Sequence, residues 1–301
     1  MAKNKKKLHF NPLAIFLGTV IALYTLLLFA MLFWGIMGSF TKPVEFYRDD
    51  VNGRIPFPTM DTLTFENYAK ALTNIKEKIK IGGEEYWAYL PEMFFNSLLY
   101  SVGGAFFATL TPCLVAYVTA KYQVRFNGVI YMTVIFVMIT PIVGALPSQM
   151  EMAQNLGLYD NHFGLWFMSA TFLGTYYLVF YSIFKGLSWE YAEAAFIDGA
   201  SHFKVMTWVM FPLIKNTFLV VFVLNFIAKW NDYQTPLLFL PNNPVAAVGV
   251  YRFYSGTGDN DTRQLTILLA GAMCLFFPAL ILFIVFRDKF VGNLTVGGIK
   301  G

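Results

Sequence analysis

Five stretches of this 301-residue chain run past twenty residues without a single Asp, Glu, Lys or Arg: 12–40, 93–120, 126–150, 163–184 and 264–286. A helix needs about twenty mostly apolar residues to cross the hydrocarbon of a bilayer. A sixth run, 217–240, has the same length but is interrupted by Lys229 and Asp232. The chain therefore reads as an all-α polytopic membrane protein with six transmembrane helices. Composition agrees, since 57% of residues are apolar and only 13% charged. The first residues, MAKNKKK, are basic. The run after them is too long for a signal-peptide core and lacks a small-residue cleavage site, so it reads as a retained first span.

Six crossings put both termini on one side, and Lys and Arg choose the side. Twelve of them (Lys3, Lys5, Lys6, Lys7, Lys121, Arg125, Lys185, Lys204, Lys215, Arg287, Lys289 and Lys300) fall at one set of helix ends. The two shorter loops opposite hold only Arg252 and Arg263. Residues 1–11 thus read as a cytoplasmic tail, 12–40 as the first span and 41–92 as an extracytoplasmic loop. Residues 93–286 form a five-helix core, and 287–301 a second cytoplasmic tail. The net charge of +4 is mild, and no nucleic-acid partner is expected. Cys113 and Cys274 lie inside apolar runs and read as packing residues rather than a disulfide.

The 41–92 loop is broken by Pro56, Pro58 and Pro91. Residues 63–72 suggest a short amphipathic helix, and 76–85 a flexible or hairpin insertion. The loop reads either as a solvated lid or as a docking surface for an external protein. Between the third and fourth spans, Leu156-Gly157-Leu158, Asp160, Asn161 and His162 suggest a short helix and turn at the interface. His162 reads as a solvated turn residue, since no second His, Cys or carboxylate pattern joins it. The third span carries Pro141, Gly144 and Pro147, so a kink is expected there, either a gate or static.

No GxxxxGK[ST], HExxH, CxxC or GxSxG occurs. The histidines, His9, His162 and His202, are scattered. No catalytic, metal or cofactor constellation is expected, and any ATP hydrolysis belongs to another chain.

The most charged, Ala-rich piece of the second half is the loop 188–216, SWEYAEAAFIDGASHFKVMTWVMFPLIKN. Ser188 suits an N-cap, with Glu190 in the first turn where the helix dipole favours an anion. Ala192, Glu193, Ala194 and Ala195 favour helix, and Asp198-Gly199 supplies a turn. Ser201 can cap a second helix carrying Phe203, Met206 and Val209, which Pro212 is expected to interrupt.

Glu193-Ala194-Ala195, then Gly199, then Val209-x-Phe211-Pro212 resembles the EAA loop of ABC-importer membrane subunits. Val and Phe stand where that pattern has Ile and Leu, and Asn216 where many relatives have a second proline. Phe65-Glu66-Asn67-Tyr68, Asn96-Ser97-Leu98, Leu156-Gly157-Leu158, Trp230-Asn231-Asp232 and the tail FVGNLTVGGIKG are similar to maltose-type sugar permeases in particular. The resemblance implies a membrane-spanning permease subunit of an ATP-driven sugar importer in a bacterial inner membrane. It would work with a second permease, in a heterodimer, with a cytoplasmic ATPase dimer and with an extracytoplasmic sugar-binding protein. It implies that Glu193, Ala194, Ala195, Asp198, Gly199, Phe203 and Pro212 lie in a groove of the ATPase. It also implies that Gly297, Gly298, Ile299 and Lys300 reach between the ATPase subunits.

The fifth span holds the remaining polar residues. Asn225, Lys229, Asp232 and Pro236 are spaced to share one helical face. Charges at membrane depth are costly and usually face a bundle interior or wet cavity, and Lys229 could pair with Asp232 at i, i+3. Pro236 leaves the Asp232 carbonyl free, so a bend is expected. Asn225, Lys229, Trp230, Asn231, Asp232 and Tyr233 are the candidate substrate pathway; holding this helix against a partner subunit is the alternative role. The rival function is a stand-alone secondary transporter or channel using Lys229 and Asp232 as an ion-coupled pair. Against it, two matching halves with broken helices are missing.

Overall fold

A computed structural model of the chain describes residues 12–123, 125–140, 144–256 and 264–294. The N-terminal lysines, Pro141 and the tail residues Gly297 to Lys300 lie outside them. The chain separates into two compact units, one of residues 1–71 and 262–273, the other of residues 72–261 and 274–301.

In the first unit, α1 (Pro12–Ser39) is apolar on every side and exposed almost throughout. A helix hydrophobic all round belongs in lipid. Its last turn is buried at Gly35, Gly38 and Ser39. There α2 (Pro43–Val51) follows, with Pro43 at the start, where no backbone N–H is needed. The expected amphipathic helix is α3 (Glu66–Asn74). It explains Phe65-Glu66-Asn67-Tyr68. The amide Nδ2 of buried Asn67 donates to the carbonyl of Ser39 (2.8 Å), which the end of α1 leaves unpaired, and to that of Thr41 just beyond it (2.9 Å). The Tyr68 hydroxyl meets Ser39 Oγ at 2.8 Å, and Phe40 packs on Phe65 and Tyr68.

The second unit begins with the one sheet among the described residues. Strands β1 (Lys76–Ile81) and β2 (Glu84–Tyr89) pair antiparallel, Lys76 opposite Tyr89 and Ile81 opposite Glu84. Gly82 and Gly83 form the two-residue turn with φ of 63° and 93°, which suits the right-handed twist of a hairpin and needs glycine-like freedom. Of the flexible and hairpin readings, the chain takes the hairpin.

The spine is α4 (Leu90–Lys121), opened by Pro91 and roughly 48 Å long at 1.5 Å per residue. Next come α5 (Asn127–Ile139), α6 (Leu146–Asn155), α7 (His162–Met168), α8 (Thr175–Gly186) and α9 (Glu190–Ile197). They lead into α10 (His202–Trp230), then α11 (Gln234–Phe239), α12 (Ala246–Ser255) and α13 (Leu265–Leu294). Among the described residues four helices, α1, α4, α10 and 265–289 of α13, are long and apolar enough to cross a membrane. The fold is mostly helical and polytopic. The core between α4, α8 and α10 is aromatic: Tyr117, Tyr177, Phe180 and Phe184 are fully enclosed with Val205, Met210 and Ile214. Cys113 is buried in it, and both cysteines are free.

Three expectations of continuity change. The third span is divided between α5 and α6, where Gly144 takes φ of 80° and Pro147 starts the second helix. The fourth is divided between α7 and α8. There the Ser169 hydroxyl bonds the Leu165 carbonyl and the Thr171 hydroxyl takes the Leu173 N–H, side-chain bonds that compete with the helix ladder. Pro212, in contrast, does not end its helix. A six-residue π turn, Val205–Met210, precedes it; the widened turn absorbs the donor that proline lacks, and α10 runs on to Trp230. His162 also differs from expectation. It opens α7 with both ring nitrogens enclosed and unpaired rather than solvated.

Candidate functional site

The loop 188–216 folds as a knob at the C-terminal end of α4, and each local signal can be followed. Ser188 Oγ accepts from Glu190 N (3.2 Å). At the other end of α9, Gly199 N donates to Phe196 O (3.0 Å) and Ala200 N to Ala195 O (2.9 Å), with Gly199 at φ of 79°. This pair of bonds is a Schellman closure, which requires a left-handed residue. Ser201 Oγ then accepts from Lys204 N (3.4 Å) and caps α10.

Aromatic packing fixes the knob to α4. The Tyr122 ring lies 5.6 Å from Trp189, its hydroxyl meets His202 Nδ1 at 3.0 Å, and Phe196 lies edge-on to His202 at 4.8 Å. Lys121 Nζ holds the Leu187 carbonyl at 2.5 Å. Ala192 is enclosed, whereas Glu193, Ala194, Asp198, Gly199, Phe203 and Pro212 face outward and Ala195 is half-buried. The outer face is apolar and acidic together: Ile197 is 86% and Phe203 70% exposed beside Glu190, Glu193 and Asp198.

At its opposite end α10 reaches a cavity of about 690 Å³. Tyr100 of α4, Gln149 of α6 and Ser169 after α7 line it, with Lys229, Tyr233, Gln234 and Thr235 at the end of α10 and start of α11, and Tyr251 of α12. Tyr233 and Tyr251 stack at 4.3 Å. Of the candidate pathway residues, Lys229 and Tyr233 line the cavity. Asp232 stands behind it, accepting from the Tyr100 hydroxyl (2.8 Å) and the Thr235 N–H (3.1 Å). Asn225 bonds Thr109 one turn and more below (3.1 Å), buried Trp230 donates to the Leu275 carbonyl (3.0 Å), and exposed Asn231 turns back to Ile227 O (2.9 Å). The shared helical face stops at Trp230, where α10 ends. For that reason the i, i+3 ion pair does not form, and the Lys229 ammonium lies instead 5.1 Å over the Tyr100 ring.

Behind the cavity, at the hairpin end of α4, Asp160 ties three segments together. It is the one described non-glycine residue with positive φ, 54°. Its carboxylate accepts from Asn242 N (3.0 Å), Asn242 Nδ2 (2.7 Å) and Asn243 Nδ2 (3.3 Å). Asn242 Oδ1 in turn accepts from Lys80 N of the hairpin (2.7 Å). Glu77, buried on the hairpin's inner face, takes a 2.6 Å bond from Arg252 of α12. Burial holds the Glu77 carboxyl above its ordinary range, against the opposing pull of Arg252. Tyr100, Gln149, Ser169, Gln234 and Tyr251 escaped sequence reading, since they come from separate segments with no shared period. Among the described residues no cluster could hold a metal ion.

A polytopic helical core with an outward knob at one end and a tyrosine-lined cavity of mixed apolar and polar lining, joined to it by one helix, has the build of a membrane permease. Residues 93–289 match the family of binding-protein-dependent transport system inner membrane components, and the chain belongs to that family. It is 25% identical over 297 residues to the arabinooligosaccharides transport system permease protein AraQ of Bacillus subtilis, covering 97% of this chain and 98% of that one. It is 26% identical to the melibiose/raffinose/stachyose import permease protein MelC of the same organism, over 72% of this chain and 79% of the relative. Among solved structures, a chain of a bacterial ABC transporter that imports the acidic polysaccharide alginate has the same fold, with a TM-score of 0.74 at 19% identity. That match covers 94% of this chain and all of the other. The protein is thus an inner-membrane transport component rather than an enzyme, and it works with a substrate-binding protein and an ATPase. Family membership disfavours the stand-alone, ion-coupled alternative.

Proposed function

We propose that this chain is a permease subunit of an ATP-driven saccharide importer, paired with a second permease, with both termini and the knob in the cytoplasm. Its relatives' names supply the substrate class. The observation that carries the reading is the continuity of α10. One helix, roughly 43 Å long over 29 residues, starts inside the exposed knob and ends with Lys229 at the cavity. The apolar, acidic face of α9 sits in a groove of the cytoplasmic ATPase, where Ala194 permits close approach and Glu193 meets a basic residue. When ATP closes the ATPase dimer, the groove carries the knob, and α10 transmits the displacement to the cavity wall. The hairpin end receives the sugar-binding protein, and Gly297, Gly298, Ile299 and Lys300 extend the ATPase contact.

Reconstitution tests this directly. The chain with its second permease, ATPase and binding protein in vesicles accumulates saccharide only with ATP. Accumulation by the lone chain along an ion gradient, with no other protein, would refute the reading.

A further inference from the structure

The Lys229 ammonium has a setting that a purely structural lysine does not need. Its stem crosses α4 at Gly104, where an added Cβ would lie 2.6 Å from Cδ and 2.8 Å from Cε. Only a residue without a side chain leaves that passage open. The ammonium emerges over Tyr100, one turn earlier on α4, at the edge of the cavity. An ammonium has three donors, and no acceptor in the described residues takes one. The nearest acid, Asp232, attracts the ammonium through space but does not bond it, its carboxylate accepting instead from the Tyr100 hydroxyl and the Thr235 N–H. Among the described residues Lys229 is also the only charged side chain in the cavity lining; Gln149, Gln234, Ser169 and the tyrosines are neutral.

We propose that this cavity selects a saccharide bearing a carboxylate, with Lys229 as the specificity-determining residue and Gly104 as the positioning residue that aims it. The proposal rests on the saccharide-importer reading. The acid group takes the open donors of Lys229 in a charge-assisted bond, while the neutral amides and hydroxyls of the lining take ring hydroxyls. Gly104 acts only through Lys229. Its clash partners are the far carbons of a flexible side chain, so alanine there displaces the lysine and leaves the α4–α10 packing in place.

The test uses the complete importer in detergent without its binding protein, with α-1,4-digalacturonate and α-1,4-galactobiose as probes. The wild type binds the acid disaccharide roughly tenfold or more tightly than the neutral one, the range of one bond to a charged group. That ratio falls toward one in Lys229→Gln and in Gly104→Ala, and survives in Lys229→Arg, which keeps the charge. Equal affinities in the wild type, or a ratio that outlasts Lys229→Gln, overturn the proposal. If ATP-dependent galactobiose uptake then persists, the importer reading stands and only the acid preference falls. If no saccharide is taken up with ATP at all, both fall.

Discussion

Replacing Gly199 by valine probes the knob at its most demanding backbone position. Gly199 holds φ of 79° in the Schellman closure of α9, and a Cβ built there meets nothing within 4 Å. The cost is therefore backbone strain and not a clash inside the chain. An L-residue in the left-handed region loses about 1–2 kcal/mol, a factor of roughly 5–30 in the population of the closed turn. That is small against the burial that holds α10 to the core, so membrane insertion and assembly stay normal. It is large for a lever, because an open turn frees α9 from α10 and the ATPase stroke no longer reaches the helix. Measured as saccharide taken up per ATP hydrolysed in vesicles, Gly199→Val should lose at least about fivefold, and Gly199→Ala somewhat less. Gly199→Asn should stay near wild type, since asparagine tolerates left-handed backbone. Full coupling in the valine variant refutes the lever. Asparagine failing as badly as valine refutes the strain argument and points to bulk on the docking face.

Two further outcomes concern the hairpin end. Asp160→Ala strands two N–H donors of Asn242, while Asn243 Nδ2 keeps its bond to the Asp160 carbonyl, and should lower stability by about 2–4 kcal/mol. Asp160→Asn, which keeps an acceptor and tolerates the 54° φ, should lose about half of that, as read by thermal unfolding of the purified protein. Glu77 gives a pH dependence. Its folded carboxyl is held above the ordinary value of 4.5, burial outweighing Arg252. The protonated form is thus favoured by the fold, and the contribution is fully present below pH 4.5 and declines as pH rises through the raised folded value. Protease resistance of the 76–89 hairpin should follow that decline and become flat with pH in Glu77→Gln.

What could be read in advance depended on whether the cause was local. Gly82-Gly83 between alternating residues admits a hairpin turn, Ser201 and Gly199 announce a cap and a closure, charge-free runs of sufficient length mark α1, α4 and α13, and an apolar run interrupted by Lys229 marks the body of α10. The divided third and fourth spans were less legible, because Ser169 and Thr171 break a helix only through bonds whose partners the apolar pattern does not reveal. Pro212 misled in the other direction, since a π turn upstream satisfies what proline removes. The cavity was half legible: Lys229 stands out as a charge in an apolar run, whereas Tyr100, Gln149 and Tyr251 reach it from distant segments. Asn67 carried its meaning only once the end of α1 was in view.

The widened turn at Val205–Met210 sets the phase of everything beyond it. A π turn holds about one residue more than its α-helical counterpart, and one residue is about 100° of azimuth. The angular offset between the knob's contact face and the Lys229 side chain, at opposite ends of one rod, is therefore written in those six residues. Excising a single residue there would close the turn to α-helical pitch and keep the lysine on its bearing, whereas excising one from the α-helical stretch beyond it would swing the lysine by about 100°.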